Sequence, residues 1–286
     1  MCGAYGAVGF GWNGGTIRAL TLANRERGTD SLGFFDSSGR MIKAGVDPDE
    51  ALAQDNISRW LNVSERGDEK RPASWFIAGH TRQATRGKVN RQNSHPFRYG
   101  KIIGSHNGMV NAPNGYAVDS QYLFDSLNKA NGDYNTAWSS ISGYWGITWY
   151  DGQSFYLQVH GGELSIGLSS DGCWYYSSSK AHLAACIGYN VNIRTLGDGE
   201  TIRFTLKDGV VVMEEDDKFV STTIGYHTRK YNYTQATDWE EYYKSSNGTH
   251  RIYAHYDNSS PVRDYDAGWR DAWEEYLTPS EHSRTE

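Results

Sequence analysis

Met1-Cys2-Gly3-Ala4-Tyr5-Gly6-Ala7-Val8-Gly9-Phe10 opens the chain. Residues Ala4–Phe10 are apolar, aromatic or small, the composition of a short buried strand. Directly ahead stands Cys2, small enough for aminopeptidases to remove Met1. Removal would leave a thiol beside its own α-amino group, which titrates near roughly 7.7–8.0. Nucleophile and general base would then share one residue, with no histidine needed. An N-terminal cysteine by itself is inert by default, so the residues that follow must decide.

Working outward, Thr16–Arg25 reads as a helix carrying Ile17, Leu20 and Leu22 toward a core. Leu32–Phe35 and Met41–Ala44 flank Asp36-Ser37-Ser38-Gly39 as a hairpin. Asp47–Leu61 reads as one helix, capped by Asp47 with Pro48 at its first position. Trp75–Gly79 and Lys101–Ser105 are strands that each run into a polar motif. Asp119 is expected to cap a helix reaching about Ala130, with a second helix ending near Ile141. Beyond Tyr144 strands dominate, punctuated by Asp151-Gly152, Asp171-Gly172 and Asp208-Gly209, dipeptides that accept positive φ in hairpin turns. Ser179 caps a short helix over Lys180–Ile187. Two sheets with helices outside is the economical arrangement.

The 38% hydrophobic and 14% aromatic content can fill a substantial core, and 32 Gly against 6 Pro suits a turn-rich, sheet-rich fold. A net charge of −6 without a basic block argues against nucleic acid as the partner. Cys2, Cys173 and Cys186 form no CxxC pair and no metal-ligand spacing, which points to a reducing cytosol. No apolar run approaches the ~20 residues that span a bilayer. The N-terminus lacks the features of a signal peptide, so a cytoplasmic protein is expected. Residues 225–286 differ in character, with nine Tyr, much Asn, Asp and Ser, and one amphipathic stretch over Arg263–Leu277. They are taken as a separate, partly helical or flexible extension of a 2–224 domain.

Five polar motifs follow the N-terminal cysteine in order. They are Arg27-Gly28-Thr29-Asp30-Ser31-Leu32-Gly33, Gly79-His80-Thr81-Arg82-Gln83-Ala84-Thr85-Arg86-Gly87 with Asn93-Ser94-His95-Pro96-Phe97, Ser105-His106-Asn107-Gly108-Met109-Val110-Asn111, Asp119-Ser120-Gln121, and Ser142-Gly143-Tyr144-Trp145-Gly146. Each alone has an ordinary explanation: Arg27-Gly28 as a helix stop, Asn107-Gly108 as a turn. His80, His95 and His106 lack a matched carboxylate, so structural hydrogen bonding is expected of them in place of a metal. Cys173 and Cys186 are expected to be buried, inert thiols.

Together with Cys2 the set resembles the class II, N-terminal-nucleophile (Ntn) glutamine amidotransferases, and is similar to the glutaminase domain of glucosamine-6-phosphate synthase. The resemblance covers about residues 2–224 and implies an α+β fold, a four-layer αββα sandwich. It implies that Cys2 attacks the side-chain amide of L-glutamine, forming a glutamyl thioester that water hydrolyses to glutamate. The Asn107 amide and the Gly108 N–H would supply the oxyanion hole. Arg82 would grip the α-carboxylate, helped by Thr85, and Asp119 would pair with the α-ammonium. Arg27 matches a position beside the nucleophile, and Asp30 is expected to buttress the loop. Gln83 replaces a frequent aromatic residue and Arg86 a frequent histidine, in a loop that closes over glutamine in the family. The resemblance implies no metal and no cofactor.

Only about sixty residues follow the domain, so the ammonia is expected to pass to a separate acceptor synthase or synthetase chain. Two other readings stand beside this one. An Ntn hydrolase could act on another amide, although Arg82 with Asp119 suits the two charged ends of a free amino acid. A binding protein could keep the fold without the activity, although every residue expected to do chemistry is present.

Overall fold

The computed structural model describes residues 2–85 and 87–216. Arg86, the boundary at 224 and the extension with its expected Arg263–Leu277 helix lie outside the described residues. In chain order the elements are β1 (Gly3–Val8), α1 (Gly14–Arg25), β2 (Ser31–Asp36), β3 (Met41–Ala44), α2 (Pro48–Leu52), α3 (Asp55–Arg66) and β4 (Phe76–Arg82). Then come β5 (Phe97–Tyr99), β6 (Ile102–Val110), α4 (Asp119–Ala130), α5 (Tyr134–Ser140), β7 (Gly143–Tyr150) and β8 (Ser154–His160). The last are β9 (Ser165–Leu168), β10 (Trp174–Ser177), α6 (Lys180–Ile187), β11 (Ile193–Thr195), β12 (Thr201–Lys207) and β13 (Val210–Asp216).

Among the described residues these strands form two sheets, ordered β11-β9-β10-β1-β4-β2-β3 and β13-β12-β8-β7-β6-β5. Side-chain alternation sorts each strand between two cores. On β4, Phe76 and Ala78 enter the core between the sheets, where Ile103, Phe155, Leu157 and Phe204 meet them from the second sheet. Phe76 stacks on Phe155 with ring centroids 4.4 Å apart, a contact worth about 0.5–1.5 kcal/mol beyond its buried area. On the opposite face, Ile77 joins Ile17, Leu20, Ile57, Leu61 and Leu183 of the helices over the first sheet. Trp145, Ile147 and Trp149 of β7 face Leu123, Phe124, Leu127 and Trp138 of α4 and α5 over the second. The result is the expected four-layer αββα sandwich.

The single helix expected over Asp47–Leu61 is two. Asp47 caps α2 by accepting from the Asp49 N–H, with Pro48 at the first position as expected, but the chain breaks after Leu52 and restarts at Asp55. Buried Ala51, Leu52, Ile57 and Leu61 explain the break. At about 100° per residue an unbroken helix would spread these four around its circumference, so two helices turn two stripes to the sheet instead. The short turns follow their Asp-Gly dipeptides. Between β12 and β13, Asp208 (φ 50°) and Gly209 (φ 79°) both take the left-handed region that a tight hairpin needs.

Two features of this frame position the site. β1 is central in its sheet, between β10 and β4. Its register pairs Gly3 with Thr81, and one step further sets Cys2 beside Arg82.

Candidate active site

Cys2 precedes β1 and is half-buried. Its carbonyl accepts two hydrogen bonds, from Arg27 Nε at 3.0 Å and from Asn107 Nδ2 at 2.9 Å. Its sulfur faces the end of β4, where the Gln83 N–H donates to Sγ at 3.4 Å and the thiol can donate to the Gln83 carbonyl at 3.6 Å. Burial pushes the Cys2 thiol above its ordinary value, opposed by the Gln83 backbone and by the positive charges of the N-terminus, Arg82 and Arg27. Asp30 buttresses the loop after β4, accepting from the Ala84 N–H at 2.6 Å and from Gln83 Nε2 at 3.2 Å.

Asn107 and Gly108 lie near the end of β6, in the second sheet, so the Cys2–Asn107 bond joins the two sheets. Gly108 has φ 136°, where L side chains are strained, and a Cβ there would collide with the Tyr144 carbonyl oxygen. Only glycine lets β6 run this close to β7 beside the cysteine.

An open cleft is lined by Cys2, Arg82, Gln83, Thr85, His95, His106, Gly108, Val118, Asp119 and Ser120. Sequence-expected Cys2, Arg82, Gln83, Thr85, Gly108 and Asp119 are therefore brought together, while Arg27 and Asn107 reach the cysteine carbonyl from beside the cleft. Arg86 falls outside the described residues. Arg82, 5% exposed, and Asp119 present opposite charges in this one cleft. Asp119 is not the helix cap expected of it. Val118 occupies the cap without a side-chain bond, and Asp119 is the first helical residue. There its Oδ2 accepts from the Val110 N–H at 3.1 Å, tying α4 to the end of β6. A carboxylate in the first turn also complements the helix dipole.

The three histidines of which structural hydrogen bonding was expected form one group, with His95 and His106 in the cleft wall and His80 beside Asn107. His80 Nε2 is 2.9 Å from Asn107 Oδ1 and 3.2 Å from the His106 carbonyl oxygen. His95 Nε2 and His106 Nδ1 each lie 3.0 Å from Ser120 Oγ. The His80 and His95 rings pack with centroids 4.0 Å apart. Burial lowers His80 to about 3 and takes His95 and His106 down as well, with Asp119 opposing the shift at His106. All three are neutral near pH 7. The signal for His80 was present in the sequence: the period of two along β4 puts it on the same face as Arg82 and Ala78. Of the other two cysteines, Cys173 is buried but Cys186 only partly so, and burial raises them to about 11 and about 12.

No protein-family model matches the chain, and no curated protein matches it. Among solved structures, the fold is similar to that of glutamine phosphoribosylpyrophosphate amidotransferase from B. subtilis, complexed with ADP and GMP. That match has a TM-score of 0.54 and 15% identity, and covers 74% of this chain and 49% of the other. A second similar structure is the allosteric regulatory enzyme of purine biosynthesis, with a TM-score of 0.56, 16% identity and coverage of 74% and 48%. The matched region thus spans about half the length of each. At such identities the likeness concerns the fold.

Proposed function

We propose that this chain is a class II glutamine amidotransferase that hydrolyses L-glutamine to glutamate and ammonia through Cys2, after loss of Met1. The observation that carries this reading is the convergence on one cleft. Cys2 stands at the head of the central strand with its carbonyl held by Asn107 and Arg27, and Arg82 and Asp119 open onto the same space. The fold shared with the two solved enzymes supports it.

In this reading the freed α-amino group of Cys2 takes the thiol proton as Sγ attacks the δ-carbonyl carbon of glutamine. The carbonyl electrons move onto oxygen. Asn107 has one Nδ2–H on the Cys2 carbonyl and a second left to meet that oxyanion, alongside the Gly108 N–H. Collapse expels the amide nitrogen, which carries away the proton held by the α-amino group and leaves as ammonia. Water, deprotonated by the same amine, then attacks the thioester and releases glutamate. Arg82 with Thr85 binds the α-carboxylate, and Asp119 the α-ammonium.

The ammonia is passed to a separate acceptor chain, and the three free cysteines suit a reducing cytoplasm. No helix among the described residues is long and apolar enough to cross a membrane. The test is glutamate release from L-glutamine by protein whose mass shows loss of Met1, with Cys2→Ala as control. Turnover that survives in Cys2→Ala rejects the mechanism. An N-acyl amide hydrolysed in preference to glutamine rejects the substrate.

A further inference from the structure

The side-chain amide of Asn107 can face two ways, and only one gives the cleft a donor. In the observed orientation Nδ2 donates to the Cys2 carbonyl, and Oδ1 faces His80 Nε2. The second contact of Nε2 decides the direction. It lies 3.2 Å from the His106 carbonyl oxygen, which can only accept. Nε2 therefore carries a proton. Turning the Asn107 amide over would set its NH₂ against that N–H and its oxygen against the Cys2 carbonyl, two repulsive contacts. The other tautomer, with Nε2 bare, would aim a lone pair at the His106 carbonyl.

From this geometry we infer that His80 is a positioning residue: its Nε2–H holds the Asn107 amide with Nδ2 toward the nucleophile. The inference rests on the reading of Asn107 as an oxyanion donor, and deepens it. His80 belongs to β4 of the first sheet and Asn107 to β6 of the second. The contact therefore also sets the donor on one sheet against the cysteine on the other. The ring has little freedom to turn. It is 1% exposed and packed against His95, which is anchored through Ser120 to α4. His80 Nδ1 is buried without a hydrogen-bond partner among the described residues. A proton there would be an orphan donor, a further reason for the Nε2–H form.

Two measurements test this. The ¹⁵N shifts of His80 in the wild-type full chain at pH 7 report the tautomer without any need for turnover. Protonated Nε2 with bare Nδ1 is expected, and the reverse tautomer overturns the inference. The second is steady-state glutaminase kinetics of His80→Leu and His80→Gln. Loss of the N–H in His80→Leu should lower kcat by about 10- to 100-fold, less than deleting the oxyanion donor outright. KM should stay within about threefold, because the ground-state carbonyl is not what the donor serves. His80→Gln, which keeps an N–H at similar reach, should recover most of the kcat. An unchanged kcat in His80→Leu, or no recovery in His80→Gln, overturns the inference. If His80→Leu does not fold, His80→Gln against wild type and the tautomer still decide. A wild-type protein that turns over no glutamine would reject the proposed function, and the tautomer measurement would remain to judge His80.

Discussion

Asn107→Ala probes the cleft at the point where structure and chemistry meet. The substitution removes one of two proposed oxyanion donors and leaves the Gly108 N–H, so kcat should fall by about 10²–10³, or about 2.7–4 kcal/mol in the barrier. The stability cost should be smaller, for a reason visible in the contacts. Asn107 makes two side-chain bonds of 2.9 Å, to the Cys2 carbonyl and with His80. Both partners keep another: Arg27 Nε still donates to the carbonyl at 3.0 Å, and His80 still has the His106 carbonyl at 3.2 Å. With neither group orphaned, the loss should be about 1–2 kcal/mol, a fall in Tm of about 3–6 °C for a domain of this size. Glutamate release gives kcat and KM. Alkylation of Cys2 by iodoacetamide serves as a control, because it displaces iodide and forms no oxyanion. Alkylation should remain within about threefold of wild type while kcat collapses. A kcat loss below about tenfold would refute the reasoning. So would alkylation falling in step with turnover, which would mean that Asn107 only places the cysteine.

Other substitutions probe recognition, pH dependence and the frame. Arg82→Lys keeps the charge but loses the planar fork; KM for glutamine should rise about tenfold or more with a smaller change in kcat, and an unchanged KM would remove Arg82 from carboxylate binding. His80 stays neutral down to about pH 3 in the fold against an ordinary 6.5. Between those values the unfolded chain therefore binds a proton that the folded chain does not. Stability is lost as pH falls through this window, by up to about 1.4 kcal/mol per pH unit from this residue. Urea melts at pH 7, 6 and 5 should show a shallower loss in His80→Gln, and an identical slope would contradict the burial argument. Asp36 is fully buried and accepts from Ser38, Arg40 and Ser64, tying the β2–β3 turn to α3. Asp36→Ala should cost about 2–4 kcal/mol in urea unfolding, discounted because Arg40 keeps some water, and a loss under about 0.5 kcal/mol would show that the network is dispensable.

Much of this molecule is legible without coordinates because the signals are local. The strand after Cys2, the helix cap at Asp47-Pro48, the Ser179 cap and the Asp-Gly turns each depend on a few adjacent residues, and each appears where the chain says it should. The motif segments could be named as a set, because order along the chain is itself sequence information. Local signals failed where two distant surfaces competed. The run from Asp47 to Leu61 is helical in propensity throughout, yet it breaks because Ala51, Leu52, Ile57 and Leu61 must all reach one sheet. Asp119 has the right chemistry for a cap, but the Val110 N–H draws its carboxylate back to β6.

By itself the sequence placed a cysteine ahead of a buried strand and put Asn107-Gly108, Arg82 and Asp119 into one ordered set of motifs, although the strand expected to stop at Ser105 runs on through Asn107-Gly108 to Val110. Their distances are tertiary facts. Cys2 and His80 sit on one sheet and Asn107 on the other, so the hydrogen bonds among them exist only once the two sheets have packed. The role of His80 was invisible for the same reason. A hydrogen bond has a direction, and the direction of this one is set by the His106 carbonyl, a backbone atom on the other sheet that chain order cannot place.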